Sequence, residues 1–337
     1  MKIEEKIYLN ALNLAFSPNI EKVWRILKKI PSPKKAFLSL KLKIDPEKEW
    51  KRLEKEKIKF ITKDEKEYPP LLREIPNPPL GIYIKGEIKK DEKYLAVVGS
   101  RKASNYGKMV LEEILPTLLD EFVVVSGFAK GIDALSHKIS LSFKKRTIAV
   151  LGAGLDIIYP KEHKKLFKEI EKNGALISEY PLGTKPFSFN FPLRNRIIAG
   201  ISLGVLVVEA KEKSGSLITA NFALDFGREV FAIPGSIFSQ NSKGTHKLIK
   251  EGAKLVEKGE DILEAFDIKK AIIKEKEIKP RNEEEKKILD LLKESPLTFD
   301  EIFKKTKIEV SKLNSTLLLM EIEKKIKKSG NLYKINQ

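Results

Sequence analysis

A set of short glycine- and serine-bearing corners could do chemistry in this chain: Gly99-Ser100-Arg101, Ser126-Gly127 with Lys130-Gly131-Ile132-Asp133, Gly152-Ala153-Gly154, Lys213-Ser214-Gly215-Ser216 and Gly235-Ser236. Glycine lets backbone N–H groups approach an oxyanion closely. A helix start adds unpaired donors and partial positive charge. Serine hydroxyls add further donors, and the Arg101 guanidinium is a fork that fits a phosphate. Any one corner by itself is better explained by a tight turn or close helix packing. Brought to one edge, the set describes a phosphate cradle. Gly152-Ala153-Gly154 lacks the third glycine of a dinucleotide fingerprint, and no GxxxxGK[ST] loop occurs. Nicotinamide dinucleotides and P-loop hydrolysis are therefore disfavoured.

Other residues carry two readings each. Arg194 and Arg196, in FPLRNRIIAG, suit phosphate contact or pairing with a carboxylate beneath the sheet edge. Asp133 and His137 stand at i, i+4, as an acid–base pair or as a helix-surface contact. Glu209 ends an apolar run and is either a general base or a partner for a loop N–H. Lys161, His163, Lys164 and Lys165 after Tyr159-Pro160 form a basic rim or a solvated helix start. Phe128, Tyr159, Phe187, Phe189 and Phe191 are candidates for base stacking or for the core.

Most of these corners follow short apolar runs: YLAVV from Tyr94, FVVVS from Phe122, TIAVL from Thr147, ALIS from Ala175, GVLVVEA from Gly204 and EVFAIP from Glu229. Runs apolar at every position are buried on both faces, which implies a parallel sheet covered by helices. The loops at the C-terminal strand ends then lie along one edge, where ligands bind. The fold class expected is α/β, a Rossmann-like, doubly wound, mostly parallel sheet. A small N-terminal helical domain precedes it and a C-terminal winged-helix domain follows. Residues 1–60 read as helices, 61–266 as the Rossmann-like core, 267–281 as a charged linker and 282–337 as three helices with a terminal hairpin around Ser329-Gly330-Asn331. Five prolines between Tyr68 and Gly86 argue against regular structure over most of that stretch.

The 337 residues carry a formal charge of +18 with 33% charged side chains. That excess suits a polyanion, nucleic acid above all, although lysine-rich surfaces also arise in heat-adapted proteins. Cysteine is absent, which excludes a disulfide scaffold and a thiolate metal site; the three histidines show no metal-ligand spacing, which disfavours a zinc enzyme, and no cofactor is expected. No apolar run approaches the roughly 20 residues that span a bilayer. The glutamates near the N-terminus do not suit a signal peptide, so a cytoplasmic location and no membrane partner are expected.

The chain resembles the DNA-processing protein A (DprA/Smf) family. The resemblance runs in order through VVGSR from Val97, SGFAKGIDALSH from Ser126, TIAVLGAGLDIIYP from Thr147, ISEYPLGTKP from Ile177, FPLRNRIIAGIS from Phe191, VVEAKEKSGSLITA from Val207, GREVFAIPGS from Gly227 and GTHKLIKEGAKLV from Gly244. It implies a core that binds single-stranded DNA, usually as a homodimer, and loads the recombinase RecA during natural transformation, without an established enzymatic activity. It further implies a DNA pocket containing Arg101, then Ser126, Gly127, Gly131, Ile132 and Asp133, then Ser214, Gly215 and Ser216. A basic residue after the YP motif would join them, Lys161 or Lys164. Residues 282–337 are similar in outline to the family's winged helix, and the third helix read there offers Lys312, Asn314 and Lys324.

The DNA-binding set expected is therefore Gly99, Ser100, Arg101, Ser126, Gly127, Lys130, Gly131, Ile132, Asp133, Lys161, Lys164, Arg194, Arg196, Ser214, Gly215 and Ser216. The leading function is protection of incoming single strands and RecA loading. Two rivals remain: a phosphoribohydrolase-like enzyme with Glu209 acting on the sugar, and a transcription regulator using the winged helix on duplex DNA.

Overall fold

The computed structural model describes residues 1–89, 91–268 and 279–335. Two compact units divide at Ile268. The linker expected at 267–281 lies, for 269–278, outside the described residues.

In the first unit, six parallel pairings carry the sheet. Strands β1 (Lys59–Thr62), β2 (Gly81–Gly86), β3 (Tyr94–Val98), β4 (Val123–Ser126), β5 (Thr147–Leu151), β6 (Ala175–Ser178), β7 (Gly204–Val207), β8 (Glu229–Ala232) and β9 (Lys254–Leu255) stand in the order β1-β2-β6-β5-β4-β3-β7-β8-β9. The expected apolar runs become β3 to β8. Within β3, Leu95 and Val97 face a core formed with α6 (Asn105–Leu118) and α12 (Gly259–Ala265). Ala96 and Val98 face the opposite core with α9 (Asn190–Ile201) and α10 (Gly215–Asp225). Alternate residues thus bury opposite faces, which is why the run is apolar throughout. Helices α7 (Ile132–Ser142), α8 (Lys164–Asn173) and α11 (Lys243–Lys250) complete the covering.

Two features depart from expectation. The proline-rich stretch contains α5 (Pro70–Glu74), with Pro70 in its first turn where no N–H is needed, and the buried strand β2 after the last proline. β2 adds antiparallel to β6, and β1 adds antiparallel to β2. The N-terminal helices α1 (Ile3–Phe16), α2 (Glu21–Lys29), α3 (Pro33–Ser39) and α4 (Pro46–Lys55) do not close a core of their own. Leu9, Leu12, Val23, Phe37 and Leu53 share one apolar cluster with Phe60, Tyr83, Leu166, Phe167 and Leu176. The Tyr83 hydroxyl donates to Asn10 Oδ1 at 2.7 Å inside it.

The second unit holds α13 (Glu283–Glu294), β10 (Leu297–Thr298), α14 (Phe299–Thr306), α15 (Val310–Ile322), β11 (Ile326–Ser329) and β12 (Leu332–Ile335). Its strands order β10-β12-β11, and its core joins Leu289, Ile302, Leu317, Met320 and Tyr333. Gly330 adopts φ +61° in the hairpin turn. This is the expected winged-helix outline.

Candidate nucleic-acid interface

Strand β3 leads to β4 on one side of the sheet, while its other neighbour, β7, leads to β8. Loops leaving such a pair diverge and open a crevice beyond the strand ends. A cleft of about 390 Å³ lies there, lined by Gly99 to Lys102, Ala129, Asp133, Ser188, Phe191, Pro192, Arg194, Asn195, Ile198, Lys211, Lys213 to Gly215, Ser216, Ile218 and Thr219. Of the expected residues it gathers Gly99, Ser100, Arg101, Asp133, Arg194, Ser214, Gly215 and Ser216.

Four exposed cations rim the cleft: Arg101 and Lys102 from the β3 loop, Lys211 and Lys213 from the β7 loop. Among the described residues none of the four has a carboxylate partner; Arg101 lies over the Phe191 ring at 5.7 Å. The start of α10 closes one wall. Ser214 caps it by accepting from Ser216 N–H, and its Oγ is 2.8 Å from Ser216 Oγ. Asn195 Nδ2 donates to the Gly215 carbonyl at 3.1 Å, which fixes α9 against that helix start. A Cβ at Gly215 would meet nothing within 4 Å, so this backbone is open to a ligand.

The floor is different in kind. Arg194 is only 4% exposed and donates to the carbonyls of Gly127 and Val150. Asp133 Oδ2 accepts from Gly127 N–H at 3.1 Å and Ala129 N–H at 3.3 Å. Burial lowers the Arg194 pKa to about 10, still leaving it charged at neutral pH. Burial pushes the Asp133 carboxyl up against the opposing pull of Arg194 and the two N–H groups. A Cβ at Gly127 would stand 2.7 Å from both Arg194 and Asp133. At Gly131, φ is +76° and a Cβ would fall 2.2 Å from the Ser100 carbonyl oxygen. These glycines allow the β3 and β4 loops to pack into one support.

Several expected site residues therefore act from behind the surface. Ser126 is fully buried and donates to the Val97 carbonyl at 2.6 Å. The Ile132 side chain is fully buried, while its N–H donates to the Ser100 carbonyl at 3.1 Å. Arg196 pairs with both carboxylate oxygens of Glu179, at 2.5 and 2.6 Å, so its phosphate reading gives way to the pairing one. Lys130 pairs with Glu162 outside the cleft, and Lys161 and Lys164 are exposed on the adjoining β5 side of the edge. Asp133 and His137 do not meet: His137 Nδ1 is 2.7 Å from the Thr147 hydroxyl, and burial holds its pKa down at about 3. Glu209 accepts from the Ser104 N–H at 2.9 Å and from its hydroxyl, away from the cleft lining.

Of the aromatics, Phe191 lines the cleft, while Phe187 and Phe189 are exposed and stacked at 5.5 Å with 6° between rings. Tyr159 is 5.7 Å from Phe191. Phe128 is core, against Phe167 and His163. Sequence reading passed over Lys102, Lys211 and Ser188. Lys102 had a signal, since it directly follows Gly99-Ser100-Arg101; nothing local marked the others.

Fold and site together define a Rossmann-like protein with an open, cation-rimmed cleft at its switch point, joined to a winged helix. The family model for DNA recombination-mediator protein A matches residues 59–267, and that for the DprA winged-helix domain matches 274–330. The chain belongs to the DNA recombination-mediator protein A (DprA/Smf) family. It is 49% identical over 202 residues to the DNA processing protein DprA of Streptococcus pneumoniae, covering 59% of this chain and 71% of that protein. The X-ray structure of DprA from that organism matches with a TM-score of 0.67 at 40% identity, over 78% of this chain and 98% of that one. A Helicobacter pylori DNA processing protein A structure, described for its single-stranded DNA binding mode, matches with a TM-score of 0.56 at 27% identity, over 62% of this chain and 95% of that one. No helix among the described residues is long and apolar enough to cross a membrane.

Proposed function

We propose that this chain binds single-stranded DNA in the β3–β7 cleft and, as a homodimer in the cytoplasm, protects incoming strands and loads a RecA-type recombinase during transformation or recombination. It acts by binding and not by catalysis. The observation that carries this reading is the set of four cations, with no carboxylate partner among the described residues, around an open cleft beside a helix start. Unpaired cations keep their charge for a phosphate chain, whereas Lys130 and Arg196 have spent theirs on carboxylates. Phe191 in the lining, with Phe187 and Phe189 alongside, gives bases a surface to stack on. The Helicobacter relative's single-strand binding mode points the same way.

The rivals find less support. A sugar-cleaving enzyme needs a free carboxylate facing its substrate, and both oxygens of Glu209 are engaged by Ser104. Duplex reading by the winged helix would use α15, whose exposed face mixes Asn314 and Ser315 with Leu318, Leu319 and Ile322 and whose Lys312 pairs with Glu284.

Fluorescence anisotropy with a labelled oligothymidylate, competed by duplex or by a mononucleotide, tests the proposal. Single strand should win both competitions. Four phosphate contacts predict that log K falls with log salt at a slope of about −3. Arg101→Ala should weaken binding about tenfold and flatten that slope by about 0.7. Equal competition by the mononucleotide, or an unchanged slope in the variant, would count against the proposal.

A further inference from the structure

The loop after β8 lies outside the cleft lining, yet it carries the two most exposed large apolar side chains among the described residues: Ile237 at 75% and Phe238 at 90%. The loop is not slack. The Tyr106 hydroxyl donates to the Pro234 carbonyl at 2.7 Å, and Ser236 Oγ accepts from Phe238 N–H at 3.3 Å. On the far side Ala210 N–H donates to the Asn241 carbonyl at 2.7 Å, and Asn241 Nδ2 donates to the Lys102 carbonyl at 3.3 Å. The loop is thus tied to the backbone of Lys102 and to that of Ala210, the residue before Lys211. It presents an exposed aromatic ring from a backbone tied to the segments that carry the cleft's rim.

We propose that Phe238 is a further stacking site for a nucleobase, on the strand as it leaves the cleft past Lys102 and Lys211. This rests on the single-strand reading of the cleft. The surroundings favour a base over a protein partner. Phe238 is flanked in sequence by Ser236, Ser239, Gln240, Asn241 and Lys243, and the exposed apolar groups at the loop are Ile237, Phe238 and the half-exposed Tyr106 ring. A standard protein interface buries about 800 Å² per partner, more than these side chains supply. One ring against one base, beside cations that hold the phosphates, needs no more than is present. β8 neighbours β7, which neighbours β3, so the β8 loop begins about 10 Å along the edge from the β3 loop, two strand spacings of about 4.8 Å. The site would lengthen the footprint on the side away from Phe187 and Phe189.

The test compares a short oligothymidylate of about 4 nucleotides with a long one of about 16, on the full chain. Lengthening should raise affinity in the wild type, and this gain should shrink about tenfold in Phe238→Ala. Phe238→Trp should keep the gain, and its added indole emission should be quenched by the long oligonucleotide. An undiminished gain in Phe238→Ala would overturn the assignment, as would a changed sedimentation state with no change in the gain, which would mark the loop as a contact between copies. If Arg101→Ala weakens binding to both oligonucleotides while Phe238→Ala gains in full, the cleft stands and the Phe238 site falls. If Arg101→Ala binds both as the wild type does, the reading of the cleft itself fails.

Discussion

Arg101 and Arg194 present the same guanidinium to the same cleft in opposite states. Arg101 is exposed with no carboxylate partner among the described residues, while Arg194 is buried between two carbonyls with Asp133 close by. A buried ion pair adds little net stability, yet removing one partner strands the other charge. Arg194→Met should therefore cost about 3–5 kcal/mol in urea unfolding of the first unit. A loss below about 1 kcal/mol would show that Asp133 finds relief elsewhere. From the chain alone Arg194 and Arg196 stood equal between phosphate and carboxylate. Each was decided by a distant residue: Gly127 and Val150 for one, Glu179 for the other. The aromatics behaved likewise, with Phe191 facing the cleft and Phe128 turned into the core.

Among the elements, α7 shows how a helix that begins at the site is anchored elsewhere. Its start packs on the Ser100 carbonyl, and its inner face buries His137 against Thr147. Thr147 Oγ1 donates to the Val124 carbonyl at 2.9 Å, so it accepts from His137 Nδ1–H, and His137 Nε2 is buried with no hydrogen-bond partner among the described residues. A proton on Nε2 would place charge in a dry core. The folded pKa, about 3, lies below the ordinary 6.5, so the neutral form's stability is complete above pH 6.5 and is lost as pH falls toward 3. The unfolded chain binds the extra proton throughout that window. Urea midpoints should reveal a loss of about 1.4 kcal/mol per pH unit below 6.5 that is absent from His137→Gln. Parallel losses in both proteins would remove His137 from the account. The strands β3 to β8 were legible because burial on two faces leaves an unbroken apolar run. β1 and β2 were not, since the prolines before β2 masked it and its antiparallel pairing with β6 is a long-range event.

For the whole molecule, the N-terminal helices are part of the first unit's core even though the family match begins at residue 59. Leu12 is fully buried in the cluster that includes Tyr83 and Leu176. Leu12→Ala should destabilise by about 2–5 kcal/mol, and the loss should be felt across the sheet. Trp24 and Trp50 sit in α2 and α4, so their emission reports the helices while amide exchange reports β4 and β5. Both should fall at one midpoint; separate midpoints would mean that the helices and the sheet unfold independently. The winged helix has its own core and was readable from its three helical segments and its hairpin turn at Ser329-Gly330-Asn331.

By itself, the chain determined a parallel α/β sheet with a winged helix after it, the edge at which its glycine corners gather, and an excess of positive charge. Those properties are local, or summed over residues, and need no knowledge of which segments meet. Only the tertiary structure decided which cations remain free, which glycines serve packing, and that Lys102, Lys211 and Lys213 from two loops stand around one cleft. The reason is that a side chain's direction at a strand-end corner is set by its neighbours across the sheet. In this fold those neighbours come from strands about a hundred residues apart, β3 beside β7.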